Sequence, residues 1–452
     1  MSRSVRGAAA GLILLALLFA LGAAPLVALQ PVPAGTPLRE SSPERELPPT
    51  RERLEWAPFD RGLPSSGQWR ESFALADFDG DGRLDLVSGP PRKAVDPVPV
   101  VFLGDGAGGW RRWGGASFPP IGYAYGAAAA GDLDGDGHTD LALGMHLDGA
   151  VVLLGDGRGG FRTASEGIER GGASAFSTVA LRIVDWDADG RGDIVALGEG
   201  PTPARVAPAA GSRGVRWYRN LGGGEWQGSD LSSGASAGVF GRSLVVADFD
   251  ADGKPDVALG SRRLGERRLV AVHGPGGGLA PRFLAALPQR ALVETVAAAD
   301  LDRDGRLDLV VGYRRQGSGT SWESGVAVLV ESLHRTVPLL LEPGRSGILA
   351  LAVGDVDGDG ALDVAAGGGD GRLWIFTRDA EGRFVRDRSP GVGAPVTGCR
   401  VSALELADLD GDGRSELLAG FAANSEECPG DGALRAWRAQ VPDAPGRGAA
   451  LP

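Results

Sequence analysis

Several residue types are scarce in this 452-residue chain. Cysteine occurs twice, histidine four times, and lysine only at Lys93 and Lys254. Zinc and other soft-metal sites need clustered Cys and His, and His138, His146, His273 and His334 show no such spacing. No Ser/His/Asp or Cys/His constellation stands out either. Aromatic residues make up 6% of the chain, beside 43% hydrophobic residues and 74 glycines. That is a globular composition with many tight turns, not a disordered one. Arginine takes the place of lysine, which reads as genome composition.

Aspartate is plentiful, and it is clustered. The stretch ADFDGDGRLDLV at 76–87 places Asp77, Asp79, Asp81 and Asp85 around Gly82. The pattern returns at Asp132, Asp134, Asp136 and Asp140; at Asp185, Asp187, Asp189 and Asp193; and at Asp248, Asp250, Asp252 and Asp256. It returns again at Asp300, Asp302, Asp304 and Asp308; at Asp355, Asp357, Asp359 and Asp363; and at Asp408, Asp410, Asp412 and Glu416. The steps between first aspartates are 55, 53, 63, 52, 55 and 53 residues. Such a period marks a repeat architecture, not three independent domains.

Short apolar runs flank every motif, for example SLVVA before and DVALG after the fourth. Runs of this length bounded by glycine are strand signals; a helix needs ten or more periodic residues. A third strand follows in each repeat. Several repeats then turn through a Gly-rich hairpin into a fourth strand led by an aromatic residue. The expected fold is all-β: a seven-bladed β-propeller of four-stranded antiparallel blades over 51–440. Blade seven lacks a fourth strand, and RERLEWAPF at 51–59 can supply it and close the ring.

Four carboxylates this close repel unless a cation sits among them. Oxygen-only ligands select a hard cation, and a flexible shell of six to eight oxygens suits calcium better than magnesium. Positions 1, 3, 5 and 9 supply carboxylates, the position-7 carbonyl can point inward, and the glycine at position 6 permits the backbone reversal. An EF-hand needs Glu at position 12; here that position holds Ser88, Leu143, Ala196, Leu259, Val311, Ala366 and Ala419. Up to seven Ca2+ ions are therefore expected, with Glu416 making the last loop the odd one. The loops hold 28 of the 58 acidic residues, so seven divalent ions would move the net charge from −12 to about +2. The acidity is a ligand inventory and argues against a nucleic-acid partner.

The first 29 residues carry Arg3 and Arg6 ahead of an apolar run to Leu29. This is either a cleaved export signal or an N-terminal membrane anchor. Both place the remainder outside the cytoplasm: periplasmic, on the cell surface or secreted. Residues 30–50, rich in proline and charge, read as a spacer; 441–452 reads as a loose tail. Cys399 and Cys428 either pair in an oxidising compartment or stand as two buried thiols.

Other motifs read as scaffold. Gly104-x-Gly106-x-x-Gly109 and Gly155-x-Gly157-x-x-Gly160 match a dinucleotide fingerprint but lead into strands, so they are hairpins. The nucleophile-elbow pattern around Ser236 lacks the required strand and helix. Arg191-Gly192-Asp193 spells an adhesion tripeptide, yet Asp193 is a loop ligand.

The motif with its flanks, as in FGRSLVVADFDADGKPDVALG at 240–260, resembles the FG-GAP or VCBS repeat of the integrin α-subunit propeller and its bacterial relatives. The resemblance spans about residues 55–438. It implies calcium in the turn between the first and second strands of each blade. Integrin relatives usually carry three or four such loops, and all seven repeats keep one here.

The expected role is an exported calcium-binding module for a protein or cell-surface glycan. The alternative is a lyase-type polysaccharide-degrading enzyme, as some members of this repeat family are. Uniform metal loops look structural, whereas the loops of the opposite face vary most: 89–98, 198–214, 313–325 and 421–432. Among these, Arg314, Arg315 and Trp322, beside Tyr313, are the expected ligand contacts. Tyr123 and Tyr125 begin a blade on the same face. Membrane contact is expected only through the N-terminal segment.

Overall fold

In the computed structural model of the chain, the described residues are 47–440 except 52–53, 70–71, 91–96, 122–123, 170–175, 200–213, 232–239, 250–251, 261–267, 273–278, 284–286, 318, 331–334, 345, 380, 389–391, 393–395 and 424. The export segment, residues 30–46 of the spacer, the tail, Ser236, His273, His334, Tyr123 and much of the loops 89–98 and 198–214 lie outside them. No helix among the described residues is long and apolar enough to cross a membrane.

The strands form seven separate sheets; five are built from four consecutive strands, and the other two each take in a strand from the N-terminal segment. All pairings within the seven sets of four are antiparallel. Blade one runs Phe73–Ala76, Asp85–Ser88, Val100–Gly104 and Trp110–Arg112. Blades two to six span 124–163, 178–230, 244–283, 291–343 and 348–387, and blade seven spans 399–440. The fourth strands of blades four and five, Leu279–Phe283 and Arg335–Pro343, have no aromatic leader, which is why only some hairpins were legible.

Second strands are apolar after their opening acid for as long as both their faces are covered. Asp140–Met145, Asp193–Gly198 and Asp363–Gly368 are buried at every position. Seven hydrophobic clusters fill the seven junctions between consecutive blades. Phe78, Val101 and Leu143 meet between blades one and two. Phe73, Phe102, Leu409 and Leu418 meet between blades one and seven. The ring is therefore closed, a seven-bladed β-propeller, and first strands of consecutive blades touch each other from blade one through blade seven.

The N-terminal segment makes the closure. Glu55–Pro58 pairs antiparallel with Gly432–Gln440 as the fourth strand of blade seven. One feature exceeds the expectation. Thr50–Arg51, where the segment read as spacer meets the one read as closing strand, adds a fifth strand to blade six, parallel to Phe384–Asp387. Trp56 then donates from Nε1 to Asp387 Oδ2 at 3.0 Å, tying the closing strand of blade seven to blade six.

The links between blades also cap outer edges. Trp110 N donates to Arg61 O at 2.8 Å, Phe161 N to Ser117 O at 3.0 Å, and Trp226 N to Glu166 O at 2.7 Å. The aromatic leaders of the fourth strands thus anchor the incoming link; Trp110 and Trp226 add Nε1 bonds to Phe59 O and Ala164 O. A sheet edge covered this way cannot template another chain.

Cys399 and Cys428 are joined, with their Cα atoms 4.7 Å apart. Cys399 opens the first strand of blade seven, and Cys428 lies in the loop between its second and third strands. With a sequence separation of 29, chain-entropy arithmetic assigns the bond about 3–4 kcal/mol. Reduction, or replacement of both by serine, should lower the urea midpoint accordingly. An unchanged midpoint would show that the bond adds nothing.

Candidate metal centre

Each Asp-rich loop is folded by the same hydrogen bonds. The position-6 glycine donates to Oδ2 of the position-1 aspartate in all seven: Gly82 to Asp77 (2.8 Å), Gly137 to Asp132 (3.0 Å), Gly190 to Asp185 (2.9 Å), Gly253 to Asp248 (2.8 Å), Gly305 to Asp300 (2.9 Å), Gly360 to Asp355 (2.7 Å) and Gly413 to Asp408 (2.9 Å). That geometry holds the glycine at φ between +81° and +88°, where a Cβ is disfavoured. Position 4 is also left-handed in the six loops where it is described, including Ala188 at φ 60° and Arg303 at φ 59°. Position 4 therefore tolerates a side chain at some cost in strain, whereas position 6 is glycine every time.

The residue at position 2 went unremarked in the sequence, yet it anchors the loop. Phe78, Leu133, Trp186, Phe249, Leu301, Val356 and Leu409 are all buried. Each donates its backbone N–H to the position-9 acid, from Leu133 N to Asp140 Oδ2 at 2.7 Å to Trp186 N to Asp193 Oδ2 at 3.2 Å. The alternation of apolar and acidic residues in DFD, DLD, DWD and DVD is the signal that could have found it. In four blades the other oxygen of that acid takes an N–H from the third strand: Gly104 to Asp85 (2.9 Å), Gly155 to Asp140 (2.8 Å), Asn220 to Asp193 (2.7 Å) and Arg378 to Asp363 (3.0 Å). Position 9 thus joins three strands and the loop. The position-12 residues lie buried in second strands, so the loops have no EF-hand geometry.

Burial is the main influence on these acids. It pushes Asp85, Asp140 and Asp193 up to about 6, Asp308 and Glu416 to about 7, and Asp363 well above its ordinary value. Neighbouring loop carboxylates add to the rise, and the backbone N–H donors oppose it. The folded, metal-free protein therefore binds more protons than the unfolded chain between the ordinary carboxylate pKa and about 7. The resulting stabilisation is complete below pH about 4 and is lost as pH rises through 6–7. In chelator, the urea midpoint should be lower at pH 7.5 than at pH 5. The reverse order would contradict the burial argument. A cation held by the same oxygens would replace the protons and invert the dependence.

The donor set fits a hard cation. In Asp77/Asp79/Asp85, Asp132/Asp134/Asp136, Asp185/Asp187/Asp193, Asp300/Asp302/Asp304 and Asp355/Asp357/Asp359, one oxygen from each residue lies within 4.8 Å of the others. Asp248 Oδ1, Asp187 Oδ1 and Glu416 Oε1 are buried with no hydrogen-bond partner. Unsatisfied buried carboxylate oxygens are costly, and a divalent ion would satisfy them. Asp250 lies outside the described residues.

Neighbouring loops touch. Thr139 Oγ1 donates to Asp77 O at 2.8 Å, Asn220 Nδ2 to Leu133 O at 2.7 Å, and Ser415 N to Asp355 O at 2.6 Å. Hairpins between third and fourth strands share this face, with Asp105 and Asp156 capping their own turns, as read from the two Gly-rich motifs.

The opposite face carries the proposed ligand contacts, because the second strand of blade five, Asp308–Gln316, runs away from its metal loop. Tyr313 is 1% exposed and belongs to the core, so it is removed from that surface. It ends the continuously buried part of its strand, and exposure begins only at Arg314. Arg314 stacks over Trp322 at 4.8 Å and lies 3.5 Å from Glu294, whose side chain is 1% exposed. Arg315 pairs with Glu323 at 2.6 Å. Tyr125 lies on the first strand of blade two. Asp193 of the Arg-Gly-Asp tripeptide is fully buried and hydrogen-bonded by Trp186, Trp217 and Asn220, so it is not displayed for adhesion. Ser177 Oγ and Glu199 Oε2 both approach His146 Nδ1, at 3.3 and 3.9 Å. A relay needs nucleophile and orienter on different ring nitrogens, so this trio is not one.

The chain matches the FG-GAP-like repeat over residues 77–143, 206–259 and 344–419, and the FG-GAP repeat over 293–324. It is 32% identical over 157 residues to cartilage acidic protein 1 of Mus musculus, a match covering 30% of this chain and 23% of that protein. The chain thus matches under a quarter of that relative's length. The repeats matched in sequence are the ones that build the blades, and the chain belongs to the FG-GAP repeat family.

Proposed function

We propose that this FG-GAP propeller is an exported, calcium-stabilised binding module whose ligand is a protein or a cell-surface glycan. One observation carries the calcium reading. The same loop occurs seven times with the same hydrogen bonds, and buried carboxylate oxygens in three copies have no donor. Positions 1, 3, 5 and 9 would hold the ion, from Asp77, Asp79, Asp81 and Asp85 through to Asp408, Asp410, Asp412 and Glu416. The ion supplies positive charge where like charges converge. The chain's own residues fix the loop to the sheet through positions 2, 6 and 9.

Export is supported by the basic and apolar N-terminal residues, by the Cys399–Cys428 bond, and by a repeat family typical of extracellular and cell-surface proteins. Recognition is assigned to the face opposite the calcium loops, where the connections differ in length and composition.

The test is elemental analysis of the purified protein for calcium, followed by a glycan array and a pull-down from cell-surface extracts to find the ligand. Alanine at Arg315 and Trp322 should weaken that ligand about tenfold or more without moving the melting temperature. Arg314→Ala should also cost stability, about 1–3 kcal/mol, because Glu294 loses a cationic neighbour. Undiminished binding in the Arg315 and Trp322 variants would move the site elsewhere on the disc.

A further inference from the structure

The seven loops are alike, but the third strands beside them are not. The residue across the sheet from the position-9 acid follows from the register. It is Leu103 in blade one, Leu154 in blade two, Val330 in blade five and Thr377 in blade six. In blades three and seven it is an arginine, Arg219 and Arg438. The corresponding residue of blade four lies outside the described residues.

Both arginines reach the position-3 carboxylate. Arg219 Nε lies 2.6 Å from Asp187 Oδ2, and its Nη2 donates to Asp189 Oδ2 at 3.3 Å. Arg438 Nη1 donates to Asp410 Oδ2 at 2.8 Å. The two carboxylates are well covered, with side chains 14% and 9% exposed. Two charge-assisted contacts made from the same register position in separate blades are a built feature. Arg162, which meets Asp134 at 3.2 Å from a fourth strand, is 66% exposed and can swing into solvent at little cost.

We propose that Arg219 and Arg438 divide the loops into two affinity classes, with blades three and seven the weaker pair. This rests on the calcium reading above. A divalent ion entering either loop must displace a guanidinium from a ligand carboxylate or bind beside its positive charge. The loops keep other oxygens for an ion, since Asp187 Oδ1 and Glu416 Oε1 have no hydrogen-bond partner. Affinity there is lowered, about 10–100-fold on the scale of outer-shell changes at metal sites, and is not abolished. The arginine gives these loops a cation of their own when calcium is scarce.

The full chain is dialysed against buffered free calcium over a range of concentrations, and bound calcium per chain is counted by elemental analysis. At concentrations that fill only the tighter loops, Arg219→Leu/Arg438→Leu should hold two more ions than the wild type, and each single variant one more. The curves should converge at high calcium. Leucine is the residue blades one and two carry at this position. Should a leucine variant fail to fold by circular dichroism, Arg→Gln keeps the length, removes the charge and should add the same ions. Equal counts in wild type and folded variants at every concentration would overturn the proposal while leaving the calcium reading intact. Calcium absent from every protein at every concentration would overturn both.

Discussion

Chelation of divalent cations is expected to lower the melting temperature by about 9–12 °C. Extracellular-type calcium sites have dissociation constants of about 0.1–1 mM. At about 1 mM calcium and the tighter end of that range, each filled loop adds about 1.4 kcal/mol by mass action. Five tighter loops then contribute about 7 kcal/mol, and all seven about 10 kcal/mol, comparable to the net stability of a whole domain. For a ring of about 390 residues the entropy of melting is about 0.8 kcal/mol/K, which gives the quoted interval. Differential scanning calorimetry with and without chelator measures it, and re-addition of calcium should restore the higher transition. An identical transition in chelator, together with no calcium by elemental analysis, would sink the calcium reading.

Removal of residues 50–58 should have the other large effect. It strips the fourth strand from blade seven and the fifth from blade six. It also removes Leu54 and Trp56, which are 2% and 7% exposed within the cluster between those blades. Truncating buried side chains of this size costs about 2–5 kcal/mol each, and Asp387 loses the indole donor of Trp56. The total is about 5–10 kcal/mol before the open edge of Gly432–Gln440 is counted, and such an edge invites aggregation. Removal of residues 30–45 should leave the melting temperature unchanged. Equal effects from the two deletions would contradict closure by the N-terminal strand. Trp56→Ala provides a milder version whose product should still fold.

The repeat was legible because each Asp-rich loop sits between two strands that have no other way to connect. Seven motifs of one spacing could only mean seven copies of one unit, and the missing strand of blade seven pointed to the segment before the first motif. What escaped was local. Thr50–Arg51 is a two-residue parallel pairing beside prolines, too short to carry a periodic signal. Tyr313 looked like a surface aromatic because arginines follow it, but it is the last residue of the run Asp308–Tyr313, which is buried on both faces. Arg219 and Arg438 lie 26 and 22 residues after their position-9 acids, and only the sheet register places them opposite those acids. The loop acids were legible as a set, whereas which position-3 acids already had a cationic neighbour was a property of pairing between strands.

The route of the chain from Pro49 to Phe59 has a mechanical consequence. A pull applied through residues preceding Leu47 would first peel the two-residue parallel pair from blade six. The load would then pass to Glu55–Pro58, the strand that completes the circle. Force arriving from the N-terminal side is thus delivered to the seam, not spread over the ring. The bonded Cys399–Cys428 pair sits in the same blade, so its covalent link holds the first strand and the distal loop of blade seven together if the seam parts. A molecule tethered at this end would open like a clasp at one fixed point, with the other six blades still stacked on their neighbours.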